Sequence, residues 1–118
     1  MLSSPMLQFL ESFLNVAANR HSIITTNMAN IDTPGYHTQD IDFHAALQQA
    51  VGDPQGASLM PVSHSVPGLV ERPDGNNVSL DRESVLLAET QLQFRLGIQF
   101  IRSQFHQLLS AISEGQSQ

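Results

Sequence analysis

Over residues 5 to 31 apolar side chains recur at alternating intervals of three and four. Leu7, Leu10, Leu14, Ala17, His21, Ile24, Met28 and Ile31 hold these positions, and seven of the eight are apolar. That spacing predicts a helix packed lengthwise against another helix. Ser4 before Pro5 gives it a defined start, because the hydroxyl caps a first-turn N–H and proline lacks an N–H that the first turn does not need. Phe9, Phe13, Val16 and Ile23 lie outside the seam, which predicts more than one packing neighbour.

A second periodic stretch covers residues 80 to 114, with a seam of Leu87, Gln91, Phe94, Ile98, Ile101, Phe105, Leu108 and Ile112, again seven apolar positions of eight. Ser79 and Asp81 are its cap candidates. Asp81 and Glu83 suit the positive end of the helix dipole, and Gly115 is a candidate stop. Some 35 residues at 1.5 Å each make a rod of roughly 50 Å. Gly97 in the middle costs roughly 1 kcal/mol relative to alanine, which a bend or a close backbone crossing would explain.

Between these stretches lie five of the six prolines and five of the seven glycines. Gly52-Asp53-Pro54-Gln55-Gly56 and Asp74-Gly75-Asn76-Asn77 are strong turn chemistry. Residues 41 to 51 look structured: Asp40, Asp42 and His44 alternate with Ile41 and Phe43 in a short extended piece, and the stretch from Phe43 can close as a short helix. The predicted fold is mainly α, with long N- and C-terminal helices paired as an antiparallel, coiled-coil-like hairpin. A long irregular loop with a short extended segment joins them. The chain then divides into a first helix over 1 to 31, a turn and loop over 32 to 78, and a last helix and tail over 79 to 118, all one structural unit.

Composition narrows the function. Among 118 residues there are 11 acidic side chains against 5 basic ones, all arginine, for a formal charge of −6. Such a surface does not neutralise phosphates, so nucleic acid is not an expected partner. The longest apolar run, Val85 to Ala88, is far short of the roughly 20 residues that cross a bilayer. No cleavable signal is expected, since the first basic residue is Arg20 and polar residues interrupt the stretch before it. Without cysteine there is no disulfide, zinc-thiolate site or thiol nucleophile. None of the hydrolase, phosphate-loop or dinucleotide motifs is present, so neither catalysis nor a small-molecule substrate or cofactor is expected.

Three features still invite a chemical reading. If Asp40, Asp42 and His44 are extended they share a face and can form a weak divalent-metal site; the plainer reading is a solvated polar face beside Ile41 and Phe43. His21 in the first seam reads as an interface histidine before it reads as a ligand. Arg95, Gln99, Arg102 and His106 form a polar stripe on the second helix, either simply wet or paired with acidic groups of a neighbouring subunit.

The most specific local feature is Asn27-Met28-Ala29-Asn30-Ile31-Asp32-Thr33-Pro34-Gly35-Tyr36. Pro34 disfavours helix at Thr33, and Pro-Gly fits the central positions of a type II turn. Asn30 tolerates a left-handed cap, and Asp32 and Thr33 can bond nearby backbone N–H groups. This stretch resembles the N-terminal motif of bacterial flagellar rod and hook axial proteins, an Asn-x-Ala-Asn-x-x-Thr-Pro-Gly-aromatic turn ending the first helix. Gln39-Asp40-Ile41-Asp42-Phe43 and Gly75-Asn76-Asn77-Val78-Ser79-Leu80-Asp81-Arg82-Glu83 narrow the resemblance to a proximal-rod subunit. A sibling proximal-rod type, which typically lacks the Pro-Gly turn and the Asp-Ile-Asp-Phe continuation, is the weaker match. His37-Thr38 and Ser79 depart from the basic and acidic residues common at those places in the family.

The resemblance implies a structural subunit that leaves the cytoplasm through the flagellar type III export apparatus without a cleaved signal. It would then polymerise, in the periplasm, into the hollow basal-body rod that transmits torque and encloses the export channel. Implied partners are other copies of itself, other flagellar rod proteins, the membrane-ring/rod adaptor and the export gate. On this reading the two seams with Phe9, Phe13 and Phe100 are the assembly surface. The isolated chain is then expected to be weakly helical and to gain helix on assembly. A small helical adaptor or export chaperone is the competing reading; a metal enzyme using Asp40, Asp42 and His44 is a distant third.

Overall fold

The computed structural model describes residues 4–52 and 62–116. Within them the elements run α1 (Pro5–Ala29), β1 (Gln39–Asp40), α2 (Phe43–Gly52), β2 (His64–Ser65) and α3 (Leu80–Gln116). The Gly52 to Gly56 turn expected from sequence lies almost wholly outside the described residues. The molecule is elongated, 72 × 26 × 18 Å.

Helix α1 starts as its sequence dictates: Pro5 opens it and the Ser4 hydroxyl accepts from the Leu7 N–H at 3.0 Å. It ends at Ala29, two residues before the predicted limit. Asn30 closes it at φ −101°, outside the left-handed region expected of it, with its N–H shared between the Thr26 and Asn27 carbonyls. Pro34 and Gly35 then reverse the chain, with Gly35 at φ +73° and the Tyr36 N–H donating to the Thr33 carbonyl at 3.2 Å.

Helices α1 and α3 pack antiparallel, with Asn27 against Glu83 near one end and Leu14 against Gly97 further along. Leu10, Ala17 and Ile24 of the first seam are buried, and Leu7, Leu14, His21, Met28 and Ile31 are half-buried. The second neighbour predicted by the out-of-seam residues is α2. Val16, Ile41 and Ala46 form a core with Ile23, Phe43 and Ala50 around it, and Phe43 meets Phe13 edge-on at 5.7 Å.

For α3 the expected seam is only half correct. Leu87, Phe94, Ile101 and Leu108 are half-buried, but Gln91, Ile98, Phe105 and Ile112 are exposed. In their place Glu83, Thr90 and Gly97 are buried, a repeat of seven that polar and small residues conceal in the sequence. With Val85, Leu92, Leu96, Phe100 and Leu109 also exposed, α3 is apolar around most of its circumference. Counting apolar residues therefore cannot fix which way such a helix faces. Gly97 marks the close crossing: a Cβ there would stand 2.6 Å from the Leu14 Cδ2. Gly115 does not stop the helix, which continues to Gln116.

Candidate assembly site

The turn after α1 is locked to the segment that enters α3. Gly35 donates its N–H to the Asp74 carbonyl at 2.8 Å, and Gly75, at φ +85°, lies so close that a Cβ on it would be 3.3 Å from the Gly35 Cα. Only glycine suits Gly75, on grounds of both conformation and space. Asn76, fully buried, donates through Nδ2 to the Asn30 and Thr33 carbonyls at 2.9 and 2.8 Å, while its Oδ1 accepts from the Val78 N–H. Asn77 accepts the Thr38 N–H at 2.7 Å and donates its own N–H to the Tyr36 carbonyl. Ile31 adds a carbonyl to which the Arg72 guanidinium donates.

Asn27 joins four segments from within α1. Its Nδ2 donates to the Gln39 carbonyl at 2.8 Å and to Glu83 Oε1 at 2.5 Å. Its Oδ1 accepts from the Gln39 N–H at 3.1 Å and the Tyr36 hydroxyl at 2.9 Å. Every bonding position of the amide is used, as a fully buried amide requires. Thr33 bonds to the Asn30 side chain at 3.0 Å rather than to backbone alone, whereas Asp32 stays exposed and Ala29 lies exposed at the end of the helix.

A charge cluster backs this knot. Arg20 takes both oxygens of Asp40 at 3.1 Å, Arg82 reaches Asp40 Oδ2 at 2.9 Å and Glu83 Oε2 at 2.6 Å, and Arg20 also approaches Glu89 at 3.4 Å. Burial pushes the Asp40 carboxyl up, but bonds from Arg20, the Ile41 N–H and Arg82 outweigh it and hold the group below its ordinary range. The Tyr36 phenol is pushed above its ordinary value by burial and by the Glu83 charge. The metal reading of Asp40, Asp42 and His44 fails geometrically. Asp40 is buried among guanidinium groups and Asp42 caps α2 through the Ala45 N–H at 3.1 Å; His44 is exposed on the helix that follows. Among the described residues no group of three metal-ligating side chains comes together.

The remaining motif residues divide between the knot and the surface. Ile41 and Val78 are buried; Phe43 is half-buried; Leu80 and Asp81 are exposed where α3 begins, and Ser79 caps that helix through the Arg82 N–H at 3.2 Å. His21 stacks edge-on with Phe94 at 6.2 Å. Arg95, Gln99, Arg102 and His106 are all exposed or half-exposed along the outer side of α3. Sequence reasoning missed Arg20 and the burial of Glu83 and Thr90. The only available signal was that a polar residue interrupted each apolar stretch, which says nothing about partners tens of residues away.

No protein-family model matches the chain. Curated relatives do. The flagellar basal body rod protein FlgB of Salmonella typhimurium is 30% identical over 92% of this chain and 94% of its own length. Its counterpart in Escherichia coli is 27% identical over the same shares, and that of Bacillus subtilis is 27% identical over 97% of this chain and 98% of its own. Likeness of that extent, running through both helices and the knot between them, makes this chain a member of the FlgB family of flagellar basal body rod proteins.

Proposed function

We propose that the chain is a structural subunit of the flagellar basal body rod and assembles there with other basal body components. In finer terms, it builds the proximal rod in the periplasm after type III export, polymerising through its terminal helices and transmitting torque without turnover or cofactor. Rod neighbours, the membrane-ring adaptor and the export gate are its partners in this reading.

The observation that carries it is the uncovered apolar surface of α3. Phe100 is 59% exposed, Leu109 62% and Val85 66%. Exposed apolar area along one whole helix marks an interaction surface. The antiparallel register that sets Leu14 against Gly97 brings Pro5 opposite about His106, so the end of α3 projects past α1 and orders fully only among neighbours. A self-sufficient adaptor has no reason to leave its longest helix half-covered, and the relatives are rod proteins.

The test is complementation of a strain lacking its own FlgB-family rod protein with Phe100→Asp plus Leu109→Asp. Both side chains are exposed, so the hairpin itself is undisturbed. Expected are normal export of the chain, no rods in isolated basal bodies, and no swimming. Normal basal bodies from this variant would refute the proposal.

A further inference from the structure

Asp74 and Gly75 form the only step in the chain at which an aspartate or asparagine precedes a glycine. Such a step is chemically labile, because glycine has no side chain to keep its amide nitrogen from reaching the neighbouring carboxyl group. The fold nevertheless demands both residues. Gly75 sits at φ +85°, where an added Cβ would stand 3.3 Å from the Gly35 Cα. Asp74 Oδ1 accepts the Asn76 N–H at 3.0 Å and so shapes the turn that delivers the buried asparagine. The Asp74 side chain is 41% exposed, within reach of water.

The contacts of the knot hold the reacting groups apart. Ring closure requires the Gly75 amide to lose its proton and its nitrogen to meet the Asp74 Cγ. In the folded chain that N–H donates to the Arg72 carbonyl at 2.8 Å, and the carboxyl group is engaged by the Asn76 N–H. The Asp74 carbonyl is fixed in turn by the Gly35 N–H at 2.8 Å. An amide bonded in this way reacts only when its segment opens.

We propose that Asp74–Gly75 is a modification site guarded by the knot: the open chain isomerises there to isoaspartate, closure of the knot prevents it, and an isomerised chain cannot close. The Gly75 nitrogen bonds to the Asp74 Cγ, and one carboxyl oxygen leaves as water, taking the amide proton and the carboxyl proton. A second water molecule then opens the cyclic imide. Where it breaks the bond from nitrogen to Cγ, aspartate returns. Where it breaks the bond from nitrogen to the main-chain carbonyl carbon, the chain thereafter runs through Cβ and Cγ, and the former carbonyl becomes a free carboxylate. No oxidant or cofactor takes part, and the mass returns to its starting value. The product has an extra main-chain atom and no side-chain oxygen to hold the Asn76 N–H. Gly75 and Asn76 are thereby displaced from the places that Gly35, Asn30 and Thr33 require. A free carboxylate beside a peptide link through Cγ is the group that S-adenosylmethionine-dependent isoaspartyl methyltransferases esterify. The aged, open chain is therefore a substrate for that class of enzyme.

The test incubates the purified full-length chain in warm, neutral, heavy-oxygen water over a series from trimethylamine N-oxide, which favours burial, through plain buffer to urea. Folding is followed at Tyr36. Each opening of the imide leaves one heavy oxygen at residue 74, which peptide mass spectrometry counts, and methyl transfer by an isoaspartyl methyltransferase counts the isomerised product. Labelling should rise along the series as the Tyr36 signal reports opening, ending at least ~10-fold faster in urea than in the osmolyte. Asp74→Glu, whose ring would be larger, should abolish it. Asn27→Ala should label faster than the natural chain in buffer and equally fast in urea. Labelling that stays level from osmolyte to urea would overturn the protection. A chain aged in urea and then diluted into the osmolyte should fail to regain its Tyr36 signal in proportion to its isoaspartate content, and treatment with the methyltransferase and S-adenosylmethionine should restore it. Full recovery with the isoaspartate still present would overturn the claim that the product cannot close. All of these readings are taken on the purified chain, so they stand or fall apart from the rod reading.

Discussion

Replacing Asn27 by alanine should loosen the knot more than any other single truncation. The side chain is fully buried and makes four hydrogen bonds between 2.5 and 3.1 Å. Its loss leaves Glu83 Oε1 without its donor in a residue that is itself 0% exposed. An unmade bond to a buried charged group costs about 2 to 3 kcal/mol. Gln39 loses partners for its N–H and its carbonyl, but it is only half-buried and water can enter the vacated space, so about 1 kcal/mol covers both. Tyr36 is partly exposed and its hydroxyl can turn to solvent at little cost. The sum, about 3 to 4 kcal/mol, is a large share of the roughly 6 to 15 kcal/mol of a fully partnered chain of this length, and a larger share still for an isolated chain whose α3 is left partly uncovered. Tyr36 is the single tyrosine and there is no tryptophan, so intrinsic fluorescence reports on the knot itself. At a urea slope of about 1.5 kcal/mol per molar, the midpoint followed at Tyr36 should fall by about 2 M or more. Thr25→Ala, at an exposed side chain that bonds only to the Ser22 carbonyl, should move it by less than about 0.4 M. An Asn27→Ala midpoint within that margin would refute the claim that this amide holds the four segments together.

Two further outcomes follow from particular contacts. Gly97→Ala adds a Cβ 2.6 Å from Leu14 Cδ2 and 3.2 Å from its Cγ, so Leu14 must move; overpacking of about 1 to 3 kcal/mol should outweigh the gain of about 1 kcal/mol in helix propensity. A double-mutant cycle with Leu14→Ala, read by chemical denaturation, should give a coupling of at least ~1 kcal/mol, and additivity would place the close crossing elsewhere. Because the Asp40 carboxyl is held below its ordinary value of 3.8, its contribution is fully present above that value and disappears as pH falls through the lower folded value. Stability followed at Tyr36 should therefore drop on acidification below about pH 4, and Asp40→Asn should flatten that limb. An unchanged acid limb in Asp40→Asn would mean that the Arg20–Asp40–Arg82 cluster does not couple protonation to folding.

What could be read in the sequence was what depends on near neighbours along the chain. Ser4 with Pro5 fixed where α1 begins, Pro34 with Gly35 fixed the reversal, and the stray apolar positions Phe13, Val16 and Ile23 announced a further packing partner, which proved to be α2. Gly97 was legible as a close crossing because glycine in mid-helix weakens the helix unless a bend or a tight neighbour requires it there. The facing of α3 was not legible. Outside the stripe of Arg95, Gln99, Arg102 and His106 its apolar residues reach most of the way round, so periodicity offers more than one seam, and the choice is made by Glu83 and Thr90, whose burial is tolerable only because of Asn27, Arg82 and the Leu87 carbonyl. Asp40 misled for the same reason. It looks like one of a row of wetted acids until Arg20 and Arg82, far apart in sequence, arrive on either side of it. That both end helices carry apolar faces followed from the spacing of their apolar residues, whereas which strips stay uncovered required the helix pair.

The backbone contact between Gly35 and Gly75 has a bearing on how related chains diverge. It pins the two ends of the intervening stretch to one another, so length added there outside the strand pair and α2, which are bonded to or packed on α1, lies in a closed excursion and scarcely affects the helix pair. Doubling such an excursion costs only about 0.6 kcal/mol in closure entropy. The Salmonella typhimurium relative aligns over 129 positions against a chain of 118 residues, so insertions separate the two proteins. Length changes are therefore expected to be tolerated within this excursion and not at Gly35, Gly75 and Asn76, where the closure is made.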